Sequence, residues 1–93
     1  MIYYIGRSTY DPSKRELIGP TKKKRTLSHG RHKFMMYLLK RPNEMAPKDE
    51  LLAAFGNEKN MCAFKKKLKD TLKIVDPSLM VENKYGRGYI LKV

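Results

Sequence analysis

Met61, Phe64, Leu68 and Leu72 recur at spacings of three, four and four, and the run Lys65-Lys66-Lys67 with Lys69 falls between them. At 100° per residue the four apolar side chains lie within a stripe of about 80°. A chain with this pattern is expected to form a helix, here over about 57–73, and must cover the stripe with other elements. Opposite the stripe stand Lys59, Cys62, Ala63, Lys66, Asp70 and Lys73, with Asn60 and Lys67 on the flank.

Two shorter helices precede it. Ser28 offers an N-cap, and Phe34, Met35, Leu38 and Leu39 mark one helical face. Pro42 is expected to stop that helix at or before Arg41, with Asn43-Glu44 as the turn. Pro47 suits the first position of the next helix, and Asp49 and Glu50 suit its positive first turn. Leu51, Leu52 and Phe55 form its apolar face and Gly56 its stop. Two helices joined so closely make a helix–turn–helix unit.

The flanks read as strands. Met1–Ile5, Ser8–Tyr10, Glu16–Ile18 and Lys24–Leu27 are separated by Gly6, Asp11-Pro12 and Gly19-Pro20. After Asp76-Pro77, Met80–Asn83 and Tyr89–Lys92 form a hairpin around Lys84-Tyr85-Gly86-Arg87-Gly88, whose two glycines permit positive φ. The expected architecture is α+β, a single domain over 1–93. It comprises N-terminal strands over 1–27, a three-helix unit over 28–76 and a C-terminal hairpin over 77–93. A chain of 93 residues is long enough to bury roughly 60–65% of its unfolded surface.

Charge narrows the partner. The net charge is +12 and every segment is positive, while a hydrophobic content of 41% argues against a disordered basic tail. A structured domain this basic fits a polyanion. Its longest apolar run, Phe34 to Leu39, is far short of the ~20 residues of a membrane span. The N-terminus lacks the basic start and apolar stretch of a signal peptide. Cys62 is the sole cysteine, so neither an intrachain disulfide nor a four-cysteine zinc site is possible. These features point to a reducing, cytoplasmic setting. His29 and His32 lack the further ligands of a structural zinc site, and no cofactor is expected. With no nucleophile–base pair and no phosphate loop, neither an enzyme nor a small-molecule substrate is expected.

A helix that enters a DNA groove wants small side chains where bases approach and donors around them. Lys59, Asn60, Ala63, Lys66 and Lys67 supply that pattern. Arg87, held between glycines at a hairpin tip, suits a narrow, electronegative minor groove. Asn83, Lys84 and Tyr85 are candidate backbone contacts beside it, and the Lys22–Arg25 cluster a further candidate for phosphate.

Taken in order, LLKRPNEMAPKDELLAAFG, MCAFKKKLKD and VENKYGRGYIL resemble three parts of the winged helix–turn–helix domain of OmpR/PhoB-type transcription regulators, including the ToxR-like branch. They match its helix–turn–helix, its recognition helix and its Gly-x-Gly-Tyr wing, and the resemblance covers Tyr10 to Val93. It implies double-stranded DNA as partner, tandem or dimeric binding on repeated half-sites, and contact with RNA polymerase or another regulator. Arg31 stands where the family has a capping-box glutamate, and Phe55 where it has tryptophan. Ala63 and Tyr85 replace basic residues, Asn83 replaces a threonine, and the loop before the third helix is short. The family's operator specificity and its polymerase loop therefore do not carry over. No receiver domain precedes the pattern.

Two other readings compete with a sequence-specific regulator. One is a winged helix used as a protein-interaction adaptor. The other is a sequence-independent architectural nucleic-acid-binding protein. A tyrosine platform for single strands would need Tyr3, Tyr4, Tyr10 and Tyr37 aligned along a groove, whereas they read as core or sheet-face residues.

Overall fold

A computed structural model describes residues 2–40, 44–84 and 86–92. It is a small α+β domain with three helices and two antiparallel sheets among those residues. Strands β1 (Tyr3–Ile5), β2 (Ser8–Asp11), β3 (Glu16–Ile18) and β4 (Lys24–Thr26) form a four-stranded sheet in chain order. Its register places Tyr3 beside Tyr10, Tyr10 beside Leu17, and Leu17 beside Arg25. Alternation along the strands sends Tyr10 and Leu17 fully into the core. Tyr3 and Tyr37 are half-buried, whereas Tyr4, one residue out of phase with the core row, is exposed.

Helix α1 spans His29–Leu39 and buries Phe34, Met35, Leu38 and Leu39, the four residues of the expected face. Ser28 occupies the N-cap, but its hydroxyl makes no capping bond. With Arg31 at the capping-box position the reciprocal partner is missing, and the Nε of Arg31 is buried without a hydrogen-bond partner. The helix ends at Leu39. The expected stop at Pro42 and its turn residue Asn43 lie outside the described residues.

Pro47 is not the first residue of the second helix. It pairs with Gly88 in a two-residue strand, β5 (Ala46–Pro47), and caps α2 (Lys48–Phe55) from there. A strand of two residues is too short to have any periodicity. Helix α3 runs Glu58–Val75, two residues beyond the expected end, with the Asn57 side chain accepting from the Asn60 amide at 2.8 Å. Strands β6 (Met80–Asn83) and β7 (Gly88–Lys92) close the chain, and the second sheet has the order β5-β7-β6.

One core joins these layers. Met61, Leu68 and Leu72 of α3 pack with Phe34 and Leu38 of α1, Leu51 of α2 and Leu91 of β7. An aromatic row crosses it, with Tyr89–Phe34, Phe34–Phe55 and Phe55–Phe64 ring centroids at 5.7, 5.6 and 5.3 Å. Such pairs contribute about 0.5–1.5 kcal/mol each beyond burial. Phe64, expected within the stripe at the centre of the core, is only half-buried at the outer end of this row. It packs on Gly30, where a Cβ would lie 2.1 Å from its ring.

Candidate nucleic-acid interface

Helix α3 is amphipathic, and the stripe that buries Met61, Leu68 and Leu72 leaves its opposite face in solvent. Lys59, Ala63, Lys66 and Asp70 are exposed at spacings of four, three and four, so they share one face. Ala63 leaves the middle of that face low between two lysines. Asn60 and Lys67 are exposed on its flank. The amide of Asn60 turns back toward the Phe55 carbonyl at 3.4 Å, a long and weak bond. Lys67 drapes over Phe64, its Nζ 5.3 Å from the ring centroid. Lys59, Lys66, Lys69 and Lys73 have no carboxylate partner among the described residues.

Cys62, placed by the sequence on the open face, is half-buried instead. It sits 100° around the helix from Met61, on the side that the β6–β7 hairpin covers, beside the Tyr89 hydroxyl. Burial first, and the neighbouring thiol second, push the Tyr89 phenol up to about 12. Lys65 lies over the same ring at 5.3 Å.

The hairpin presents Arg87 exposed, with no side-chain partner among the described residues. Gly86 takes φ +75°, which an arginine-bearing tip needs for its tight turn. Gly88 is required for a different reason than the expected positive φ. A Cβ there would lie 2.1 Å from the Ala46 carbonyl oxygen, so β5 and β7 approach only over a glycine. Asn83 is exposed at the end of β6. Lys84 is half-buried and its Nζ is 2.8 Å from Glu82 Oε1; Lys92 takes the other oxygen at 2.6 Å. Hydrogen bonds from these two ammonium groups hold the Glu82 carboxyl down at about 2. Tyr85 lies outside the described residues.

Lys48 joins the two surfaces, and no feature of the sequence announced it. Its backbone N–H donates to the Arg87 carbonyl at 2.8 Å. Its Nζ pairs with Glu58 Oε1 at 2.9 Å, one residue before Lys59. The hairpin tip and the first turn of α3 are thus both tied to the start of α2. The Lys22–Arg25 cluster is exposed, with Lys22 and Lys23 leading into the edge strand β4 and Lys24 and Arg25 within it.

No protein-family model and no curated protein sequence matches the chain. Among the described residues, no group of three or more histidine, cysteine, aspartate or glutamate side chains could hold a metal ion. His32 Nδ1 instead shares a hydrogen bond with the Tyr10 hydroxyl at 2.6 Å. Its pKa is lowered by burial and then by Arg15 and His29. No described helix is long and apolar enough to cross a membrane.

Proposed function

We propose that this chain is a winged helix–turn–helix domain that binds double-stranded DNA sequence-specifically and regulates transcription in the cytoplasm. The supporting observation is the α3 face on which Lys59 and Lys66 flank Ala63, all three exposed and neither lysine paired with a carboxylate among the described residues. A helix of this kind enters the major groove with the small residue against base edges and the ammonium groups on phosphates or guanine. The β6–β7 hairpin acts as the wing and offers Arg87 to the adjacent minor groove. Lys67 and Asn83 lie where they reach the backbone, and Lys84 follows when it leaves Glu82. The resemblance to OmpR/PhoB-type domains adds tandem or dimeric occupancy of repeated half-sites and a regulatory protein partner. This reading calls for no cofactor and no small-molecule substrate.

Affinity for a duplex, titrated against salt, tests this reading. Each neutralised phosphate contributes about −0.9 to the slope of log K against log salt concentration. A slope corresponding to several phosphates, lost in steps on Lys59→Ala and Lys66→Ala, fits the assignment. A flat slope fits a protein-interaction adaptor instead.

A further inference from the structure

A trough runs along the flank of α3 between the helix and β6. Lys69, Asp70, Lys73, Pro77, Leu79 and Met80 line it, enclosing about 410 Å³, within the roughly 300–1,000 Å³ typical of ligand clefts. Toward the N-terminal end of α3 it continues past Lys69 and Asp70 to Lys65, Lys66 and Cys62. Its floor is apolar. Leu79 and Val81 are buried, but Met80 leaves 60% of its surface in water, one of the few large apolar side chains the domain exposes. Its rim is basic, because Lys69 and Lys73 stand one turn apart on α3, about 6 Å along the axis. Neither lysine has a carboxylate partner among the described residues. Asp70 stands between them on the same rim.

We propose that this trough docks a short acidic segment of a partner protein, one that carries a bulky apolar side chain among its carboxylates. The carboxylates meet Lys69 and Lys73, whose methylene stems widen the apolar floor. The apolar side chain covers Met80 and Leu79, removing them from water. A peptide backbone N–H serves Asp70. A nucleic-acid strand gains less from the same surface, since it has no apolar side chain to cover Leu79 and Met80 and would leave Met80 wet. The trough leaves out Lys59 and Ala63 but shares Lys66 and Asp70 with their face, so the partner and a duplex meet along that edge of α3.

The test uses the full chain, isotopically labelled, with two synthetic peptides followed by backbone amide shifts. Both carry the same glutamates; one has a central leucine and the other a central serine. The leucine peptide is expected to shift Lys69, Lys73, Leu79 and Met80 and to bind about tenfold tighter than the serine peptide, a difference of ~1.4 kcal/mol. Met80→Ser is expected to remove that preference and leave duplex affinity unchanged. Met80 is exposed, so the variant should fold. Lys73→Glu, on the solvent side of α3, provides an independent loss of peptide binding. Equal binding of the two peptides, shifts elsewhere, or a parallel loss of duplex affinity in Met80→Ser overturns the proposal. The last result assigns the trough to nucleic acid.

Discussion

The Ser8 hydroxyl donates to Asp76 Oδ2 at 2.8 Å, linking the first hairpin to the end of α3 across 68 positions of sequence. The other oxygen, Oδ1, accepts from the Ser78 hydroxyl at 2.7 Å and the Ser78 backbone N–H at 3.0 Å. Asp76 is 2% exposed, and its carboxylate is one of the points that fasten the N-terminal sheet to the three-helix unit, beside the Tyr10–His32 bond. Hydrogen bonds from Ser78 and then Ser8 hold its pKa below the ordinary value, against the opposing effect of burial.

A carboxyl whose folded pKa is depressed stabilises the fold fully above its unfolded pKa. That contribution is lost as pH falls through the folded value. Asp76→Asn is expected to cost about 1–3 kcal/mol at neutral pH, because it weakens bonds to a buried charge. It should also flatten the fall in stability below the ordinary aspartate range. Urea unfolding at neutral and acidic pH checks both effects. Parallel pH profiles for the two proteins would assign acid sensitivity to another group.

The two hairpin glycines separate by mechanism. Gly88→Ala drives a Cβ toward the Ala46 carbonyl and should cost about 1–3 kcal/mol as β5 is pushed off β7. Gly86 has open space around its Cβ position, and Gly86→Ala meets only the positive-φ penalty of about 1–2 kcal/mol. Thermal unfolding measures both costs, and hydrogen exchange tells the two mechanisms apart. The Gly88 variant alone should also weaken protection from hydrogen exchange at the Lys48 amide, which the Arg87 carbonyl holds.

How much of this was legible beforehand depended on chain length per signal. The spacing of 61, 64, 68 and 72 located α3 to within two residues, because four coincident positions over three turns leave little freedom. Phe64 belonged to that stripe yet emerged half-buried, since Gly30 of α1 and Phe55 of α2 cover only part of its ring at the outer end of the aromatic row. Cys62 was misplaced because the helical wheel says which residues oppose the core, not which side the hairpin covers. The strand β5 and the joint at Lys48 were invisible, being a tertiary pairing of two residues and one backbone donor. The Glu82–Lys84 pair was latent: residues two apart on a strand share a face.

That pair makes a prediction about binding. Glu82 holds both Lys84 and Lys92, so under the proposed function it would compete with phosphate for them. Glu82→Gln should tighten duplex binding and steepen the salt slope by about one phosphate's worth, ~0.9. Lys84→Ala should weaken binding less than Lys66→Ala, since Lys66 is not shared with a carboxylate among the described residues. The Glu82 carboxyl is held at about 2, below its ordinary value. Its competition is therefore fully present at neutral pH and fades only in strong acid. Unchanged affinity and slope in Glu82→Gln would place Lys84 and Lys92 away from the duplex.

The Arg87 side chain is exposed at the hairpin tip and has no side-chain partner among the described residues. Arg87→Ala should leave the melting temperature unchanged and weaken binding more on sites flanked by A·T than by G·C, where the minor groove is wider. Competition assays with the two flanks at fixed salt check the difference. Equal loss on both flanks would make Arg87 a phosphate contact only.

The central claim is that α3 reads sequence, and one ratio tests it most directly. A duplex is selected from a random pool, and its affinity is compared with a scrambled duplex at fixed salt, for the wild type and for Asn60→Ala and Lys59→Ala. The account predicts a wild-type preference of at least about 10³ for the selected site, cut by roughly 1–3 kcal/mol when a base contact is removed. A ratio near one for the wild type, or a preference that both variants retain in full, would contradict it.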